Sequence, residues 1–383
     1  MKFRNDFIRI IENLLHSHDG DKKFEVLIFN DYYSPKVNNK TAEKFLIKSK
    51  SSFLLWGIVR TRKGTNNEDK YVVNLDGIVR HNPIPKQVSQ MLSSDFSRIF
   101  KSQLIVPFTN DFQHFEMYSD IMEKTAMYMI GIAFAISFEL KNAMNILETL
   151  SNSIKISKEY KGLKRIYSKT ISKLKVTLPS NLFNLYSSYS DVIYNRWFVD
   201  RNRSDIIYLN NLCDKALRIR PVDERTLVKK AICTFVLTKD VNTSLVYLKR
   251  CRKFVDEGFY YCYAFLYAYA KKFSEAKVYY NKAFKNSSAD MSVPIQTEQF
   301  IMDILAEEPE KFWLYYYIGL INYKAKEDYI SAKEAFLNFI NKFEEGLGLE
   351  KLRDEANKYL KELEVKISNN FTDPAEPPVD DSA

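Results

Sequence analysis

The chain has 383 residues, of which 46% are hydrophobic and 14% aromatic, and its formal net charge is +9. This length can hold two or three domains, and the apolar content excludes a wholly disordered chain. With only 10 Gly and 11 Pro, the sequence favours long helices over many turns. The positive charge indicates either an anionic partner or a lysine-rich bias of composition.

The four cysteines, Cys213, Cys233, Cys251 and Cys262, form no CxxC pair and do not alternate with the four histidines at zinc-finger spacing. They are predicted to be small buried residues in a reducing compartment. The sequence also lacks glycine-rich phosphate loops, HExxH and GxSxG. We therefore expect a non-enzymatic protein that needs no metal and no cofactor.

Residues 1–19 are predicted to form an amphipathic helix because their apolar residues recur every three or four positions. This segment has no continuous apolar core of about 7–15 residues like that of a signal peptide. The most apolar run, Met127 to Leu140, is shorter than the ~20 residues needed to span a bilayer. We expect a cytoplasmic protein with no membrane contact.

Residues 20–115 are predicted to form a small α/β domain of order β-α-β-β-α. The predicted elements are a buried strand at 24–30, a helix at 40–50, a hairpin of strands at 52–60 and 70–80, a helix from Pro83 to about Ser102 and a short strand at 103–108.

The hairpin's first strand carries Leu54, Leu55, Trp56, Gly57, Val59 and Arg60. In these residues the domain resembles the amino-terminal domain of TolB-like and FlgO-type proteins. That family is usually exported, whereas we expect no export signal here, so the resemblance implies a shape only. The alternative, an enzyme or small-molecule sensor in this domain, is supported by fold analogy alone.

From about residue 120 the sequence is predicted to be helical. The stretch Phe259–Phe284 reads as a tight antiparallel helix pair broken at Lys271 and Lys272. Bulky residues alternate with small ones such as Ala264 and Ala276, which let the two backbones approach. Ile130-Gly131 with Ala143 and Leu147, and Ile318-Gly319 with Ala332 and Phe336, have the same order at related spacing. The later of these two units has one extra residue in its turn.

This order resembles the tetratricopeptide repeat, a helix-turn-helix unit of about 34 residues. The resemblance covers residues 120–345, with units at 124–157, 224–256, 257–290 and 312–345 and a degenerate stretch at 158–222. It implies a helical solenoid, and a generic helical bundle is the alternative. A charged capping helix is predicted at 346–367 and a disordered acidic tail at 368–383. The predicted fold class is therefore α+β: a small α/β domain followed by an all-α solenoid.

The resemblance also implies a concave groove lined by the first helix of each pair. The groove positions of the last two units are aromatic, whereas the subgroup that binds chaperone tails carries Lys and Asn there. We expect a partner helix or peptide, or a second copy of the chain, in this groove; alternatively, the groove is filled by the chain itself and these residues are core. The candidate partner-binding residues are Tyr261, Phe265, Tyr269, Trp313, Tyr316 and Tyr323.

A basic run at 155–175 offers a second candidate surface. Its lysines and arginine recur every three or four residues, which places several on one helix face. This face could bind the phosphates of a nucleic acid, or it could simply be solvated. Its candidate residues are Lys158, Lys161, Lys164, Arg165 and Lys169. The sequence thus predicts an interaction scaffold, with a nucleic-acid-associated regulator as the alternative.

Overall fold

The computed structural model describes residues 12, 27–28, 36–38, 40–51, 53–63, 69–79, 104–107, 112–155, 164–252, 256–286, 291–346 and 348–372. The chain divides into an amino-terminal unit, Met1–Pro221, and a carboxy-terminal unit, Val222–Ala383. The predicted helix at 1–19 (apart from Glu12), the predicted helix from Pro83 to Ser102 and the tail beyond Thr372 lie outside the described residues.

The amino-terminal unit combines five described helices with one small sheet. Its strands are β1 Phe53–Lys63, β2 Asp69–Val79 and β3 Leu104–Pro107, and its helices are α1 Ala42–Lys48, α2 Phe112–Ile136, α3 Leu140–Lys155, α4 Lys164–Asp200 and α5 Arg203–Ile219. The sheet has the order β1-β2-β3 and is antiparallel throughout. Strands β1 and β2 form the predicted hairpin, in which Phe53 lies opposite Val79 and Lys63 opposite Asp69.

The predicted α+β fold class is wrong, because the described chain is predominantly α-helical, with thirteen α-helices against three strands. The sheet does not mark off an α/β domain at 20–115, since it belongs to the same compact unit as the helices up to Pro221. The predicted strand at 24–30 is also not observed at its two described residues. Leu27 and Ile28 form no strand and are 53% and 51% exposed. An apolar run is buried only where another element packs over it. The sequence pattern does not show whether such an element is present.

Helices α2 and α3 pack against each other around a glycine, as the sequence predicted. A Cβ atom on Gly131 would clash with the side chain of Leu147, so any larger residue here would force a shift in the packing. Ala143 and Leu147 are fully buried at the same contact. Further along, α4 contains Pro179 and packs on α5, which begins at the side-chain cap of Asn202. These two long helices occupy the stretch predicted to be degenerate.

The carboxy-terminal unit is entirely helical in its described residues. Its elements are α6 Glu224–Thr238, α7 Val241–Lys249, α8 Glu257–Tyr269, α9 Phe273–Lys285, α10 Ser292–Glu307, a 3-10 turn Pro309–Lys311, α11 Leu314–Ile321, a π turn Asn322–Lys326, α12 Tyr329–Asn341 and α13 Glu350–Thr372.

Three successive helix pairs, α6/α7, α8/α9 and α11/α12, pack closely within this unit. Four aspartates cap helices of these pairs, each by accepting a backbone N–H with its side chain. Residue 223 caps α6, 240 caps α7, 256 caps α8 and 328 caps α12. In the pair α8/α9, Ala264, Ala276 and Ala283 are fully buried, as the stretch Phe259–Phe284 predicted. The arrangement is compatible with a helical solenoid.

Helix α13 follows a break at Gly346 and Gly348, whose φ angles are +84° and +70°. Such angles favour glycine because it has no Cβ. The helix runs to Thr372, further than the predicted end at 367, and packs on α12, while its Leu352, Ala356 and Leu363 belong to the hydrophobic core of the unit. Within the described part of the chain, no helix is long and apolar enough to cross a bilayer.

Candidate functional site

Five of the six candidate partner-binding residues lie in the interior of the carboxy-terminal unit. The exposed fractions of Tyr261, Phe265, Tyr269, Trp313 and Tyr316 are 2%, 4%, 9%, 5% and 1%. No open groove is therefore presented at these positions. Their surroundings match the alternative prediction, in which the chain itself fills the groove and these residues are core.

Helix α10 covers the first part of the predicted groove. Its Phe300 ring lies 5.0 Å from the Phe265 ring and 6.2 Å from the Phe235 ring, measured between centroids. Phe235 also contacts Tyr269 edge to face at 4.8 Å. Such pairs stabilise a core beyond the area they bury. The segment between the second and third helix pairs thus fills the space where a partner was expected.

Helix α13 covers the second part. The Tyr316 hydroxyl donates a hydrogen bond to Glu355 Oε2 at 2.6 Å, and Lys277 Nζ donates to Glu355 Oε1 at 2.6 Å. The Tyr359 ring stacks on Phe336 at 5.4 Å. Burial, followed by the bond to Glu355, raises the pKa of Tyr316 well above its usual value, so this phenol stays protonated. Its polar end is satisfied inside the protein.

Tyr323 differs from the other five because it is only half-buried and lines an open cleft of about 630 Å³. We call this the Tyr323 cleft. It lies where the end of α9, the π turn, the start of α12 and the last part of α13 meet. Its lining residues are Asn281, Phe284, Lys285, Tyr323, Lys324, Glu327, Tyr329 and Lys366.

The tyrosine rings of the cleft are fixed by contacts on their outer sides. The Tyr323 hydroxyl donates to Glu362 Oε2 at 3.0 Å, and its ring lies 6.0 Å from that of Tyr329. Lys366 Nζ lies 4.7 Å from the centroid of each of these two rings. A cation over an aromatic face is attracted by the ring quadrupole. The cleft therefore presents two tyrosine rings with an ammonium beside them.

Three lysines face the cleft against one glutamate, Glu327. Within the part of the chain that the structure describes, Lys285, Lys324 and Lys366 form no salt bridge with a carboxylate. Lys277 and Lys326, by contrast, each bind a glutamate at 2.6 Å. The hydrogen bond to Tyr329 raises the pKa of Lys366, which favours its charged form. The cleft is electropositive.

The π turn Asn322–Lys326 shapes one wall of this cleft and includes Tyr323 and Lys324. Glu298 of α10 holds the turn at both ends, because it accepts from Asn322 Nδ2 at 2.8 Å and from Lys326 Nζ at 2.6 Å. Glu327 then leaves the helix with a φ of +54°. The π turn therefore ends α11, and the Asp328 N–H closes it by donating to the Asn322 carbonyl at 2.9 Å.

The basic-face candidates fall largely outside what the structure describes. Lys158 and Lys161 lie outside the described residues, and at Lys164, Arg165 and Lys169 only the backbone of α4 is described. These three residues share the first turns of one helix. The proposed nucleic-acid surface therefore stays a prediction.

Sequence reasoning missed most of the Tyr323 cleft. Lys285, Lys324, Tyr329 and Lys366 come from four different elements, and their meeting depends on where α13 packs. Comparison with known proteins adds no assignment: no family model matches the chain, and no curated protein sequence matches it.

Proposed function

We propose that this chain is a non-enzymatic, cytoplasmic interaction protein of the tetratricopeptide-like solenoid type, and that a segment of a protein partner binds in the Tyr323 cleft. The observation that carries the proposal is the cleft itself, in which half-buried tyrosine rings and three lysines face solvent together. Tyrosine supplies a large contact area with few rotatable bonds, a property typical of binding surfaces.

The buried aromatic core supports this choice of site. Phe265 packs against α10, Tyr316 bonds to α13 and Tyr261 packs on rings of α9, so a partner could reach these residues only after the core was opened. Opening that packing would expose many aromatic side chains. Each buried ring contributes about 3–5 kcal/mol to stability. A preformed cleft requires no such rearrangement.

Site-specific photo-crosslinking in the native host tests the proposal. A benzoylphenylalanine placed at the exposed cleft residue Asn281 is expected to crosslink a defined protein, and Tyr323→Ala is expected to abolish that crosslink. The matched control places the same probe at Asn357, an exposed residue of α13 that does not line the cleft.

The control decides what a crosslink means. A partner captured at 281 and not at 357, and lost with Tyr323→Ala, supports binding in the cleft. Equal crosslinking from both positions, or a crosslink that survives Tyr323→Ala, shows that the partner does not bind there and contradicts the proposal.

A further inference from the structure

The charges of the Tyr323 cleft favour one chemical class of partner. Lys285 and Lys324 have no described carboxylate within salt-bridge distance, although the charge of Lys324 acts on Glu355. Lys366 contacts the rings of Tyr323 and Tyr329 and donates to the Tyr329 hydroxyl at 3.4 Å. The lining thus holds three ammonium groups against one carboxylate, and such an excess of positive charge attracts anionic groups into the cleft. The lining therefore favours an occupant that carries negative charge.

The shape of the cleft distinguishes a peptide from a nucleic acid. A nucleic acid binds along an extended positive track that follows its phosphates. Here the three lysines are confined to one cleft, and carboxylates stand around it: Glu327 in its wall and Glu362 beside Tyr323. A nucleic acid would have to carry its continuous phosphate backbone past these acids, whereas a short peptide needs carboxylates only where it meets the lysines.

The donor set also fits carboxylates. The described lining contains no arginine, whose planar fork matches a phosphate with two hydrogen bonds. Lysine acts as a point charge that can meet a single carboxylate oxygen, and the Asn281 amide adds a donor and an acceptor for a peptide backbone. The two tyrosine rings provide the apolar surface on which aliphatic parts of such a segment can pack.

We propose that the Tyr323 cleft recognises an acidic peptide segment of a protein partner, with Lys285, Lys324 and Lys366 meeting its carboxylates. The proposal rests on the proposed function and adds the chemistry of the partner. The cleft is built from the end of α9, the π turn and α13, so it is distinct from the groove in which the chaperone-binding subgroup carries its Lys and Asn.

Titration of the purified full chain with fluorescein-labelled hexaglutamate, followed by fluorescence anisotropy at low ionic strength, tests this proposal. Hexaglutamate is expected to bind, and hexaglutamine, its neutral match, is not. Lys366→Glu and Lys285→Glu are each expected to weaken binding about tenfold, because each replaces an exposed attraction by a repulsion. Added salt is expected to weaken binding further.

The matched control is Lys361→Glu, which makes the same charge change on the same helix at an exposed residue outside the cleft. It is expected to weaken binding clearly less than Lys366→Glu, because Lys361 does not line the cleft. The comparison is repeated at about 0.15 M salt, where the Debye length of about 8 Å reduces the long-range effect of charge. Thermal unfolding followed by circular dichroism checks that all three variants fold. Equal weakening by Lys361→Glu and Lys366→Glu would show that only net charge matters and would overturn the proposal.

Two other outcomes also overturn it. The first is equal affinity for hexaglutamate and hexaglutamine. The second is tighter binding of a single-stranded RNA hexamer that Lys285→Glu and Lys366→Glu both weaken, which would assign the cleft to nucleic acid. If the crosslink from Asn281 succeeds while hexaglutamate fails, the cleft binds a protein that is not acidic, and the proposed function stands alone.

Discussion

The aromatic core and the Tyr323 cleft of the carboxy-terminal unit are built from the same residue types but serve different purposes. Tyr316 and Tyr323 lie about two helical turns apart, and both donate a hydrogen bond to a glutamate of α13. Tyr316 is covered on every side, whereas Tyr323 keeps part of its ring exposed beside Lys366. A stretch rich in tyrosine therefore does not identify a binding surface. Whether a ring is core or exposed depends on the element that packs over it.

The largest expected difference between the two regions is in stability. Tyr316→Ala removes a fully buried ring that contacts Tyr317, Phe336 and Phe339, and is expected to lower the free energy of unfolding by about 3–5 kcal/mol. Tyr323→Ala is expected to cost clearly less because its ring is half-exposed. Urea unfolding of both variants measures the difference, and equal losses would place the two rings in equivalent environments.

A glycine next to the core sharpens the comparison. A Cβ atom on Gly319 would lie 2.6 Å from the ring of Phe336, which is fully buried and stacked on Tyr359. Gly319→Ala is therefore expected to destabilise the protein by about 1–3 kcal/mol through overpacking. Gly258→Ala is the control, since its Cβ would meet nothing closer than 3.7 Å and alanine is the better helix former. A loss for Gly258→Ala as large as that for Gly319→Ala would contradict the packing described for α11 and α12.

Two tyrosine hydroxyls of the core allow a finer test. Tyr316→Phe deletes the bond to Glu355 and is expected to cost about 1 kcal/mol. Among the described residues the Tyr280 hydroxyl has no hydrogen-bond partner although the side chain is fully buried, so Tyr280→Phe is expected to leave stability unchanged or raise it. Thermal unfolding of the two variants checks this order, and a larger loss for Tyr280→Phe would reveal a partner for its hydroxyl.

The smallest expected effect is the pH dependence due to Glu355. Burial acts to raise the pKa of this carboxyl, but the hydrogen bonds from Lys277 and Tyr316 and the charges of Lys277 and Lys324 together outweigh burial and hold the pKa below its usual value. Because the folded pKa is lower than the unfolded one, the stabilisation is present at neutral pH and is lost as the pH falls through the carboxyl range. Unfolding of wild type and Glu355→Gln between neutral and acidic pH should give the steeper decline for wild type; parallel curves would show that Glu355 contributes nothing.

The sequence predicted the helix pairs because their contacts are local. Gly319 and Phe336, or Ala264 and Ala276, belong to adjacent helices joined by a short turn, so spacing alone brings them together. The hairpin of β1 and β2 is local in the same sense.

Features that depend on distant segments were not predicted. The pattern placed Tyr261 and Phe265 on an inner face, but it could not show that Phe300 of α10 covers that face. Likewise, Lys366 reaches Tyr323 only because α13 packs back on α12. Packing of this kind is set by the fit between surfaces far apart in sequence, and repeat spacing contains no record of it.

The most direct test is hydrogen exchange of the full chain with and without hexaglutamate. It shows whether hexaglutamate binds in the Tyr323 cleft, and whether the predicted groove residues remain in the core. The expected result is slower exchange confined to segments covering Asn281–Lys285, Asn322–Tyr329 and the part of α13 around Lys366, with no change in α8, Glu257–Tyr269. Slower exchange in α8, or around Lys164 in α4, without change at the cleft would contradict this account and place the binding surface elsewhere.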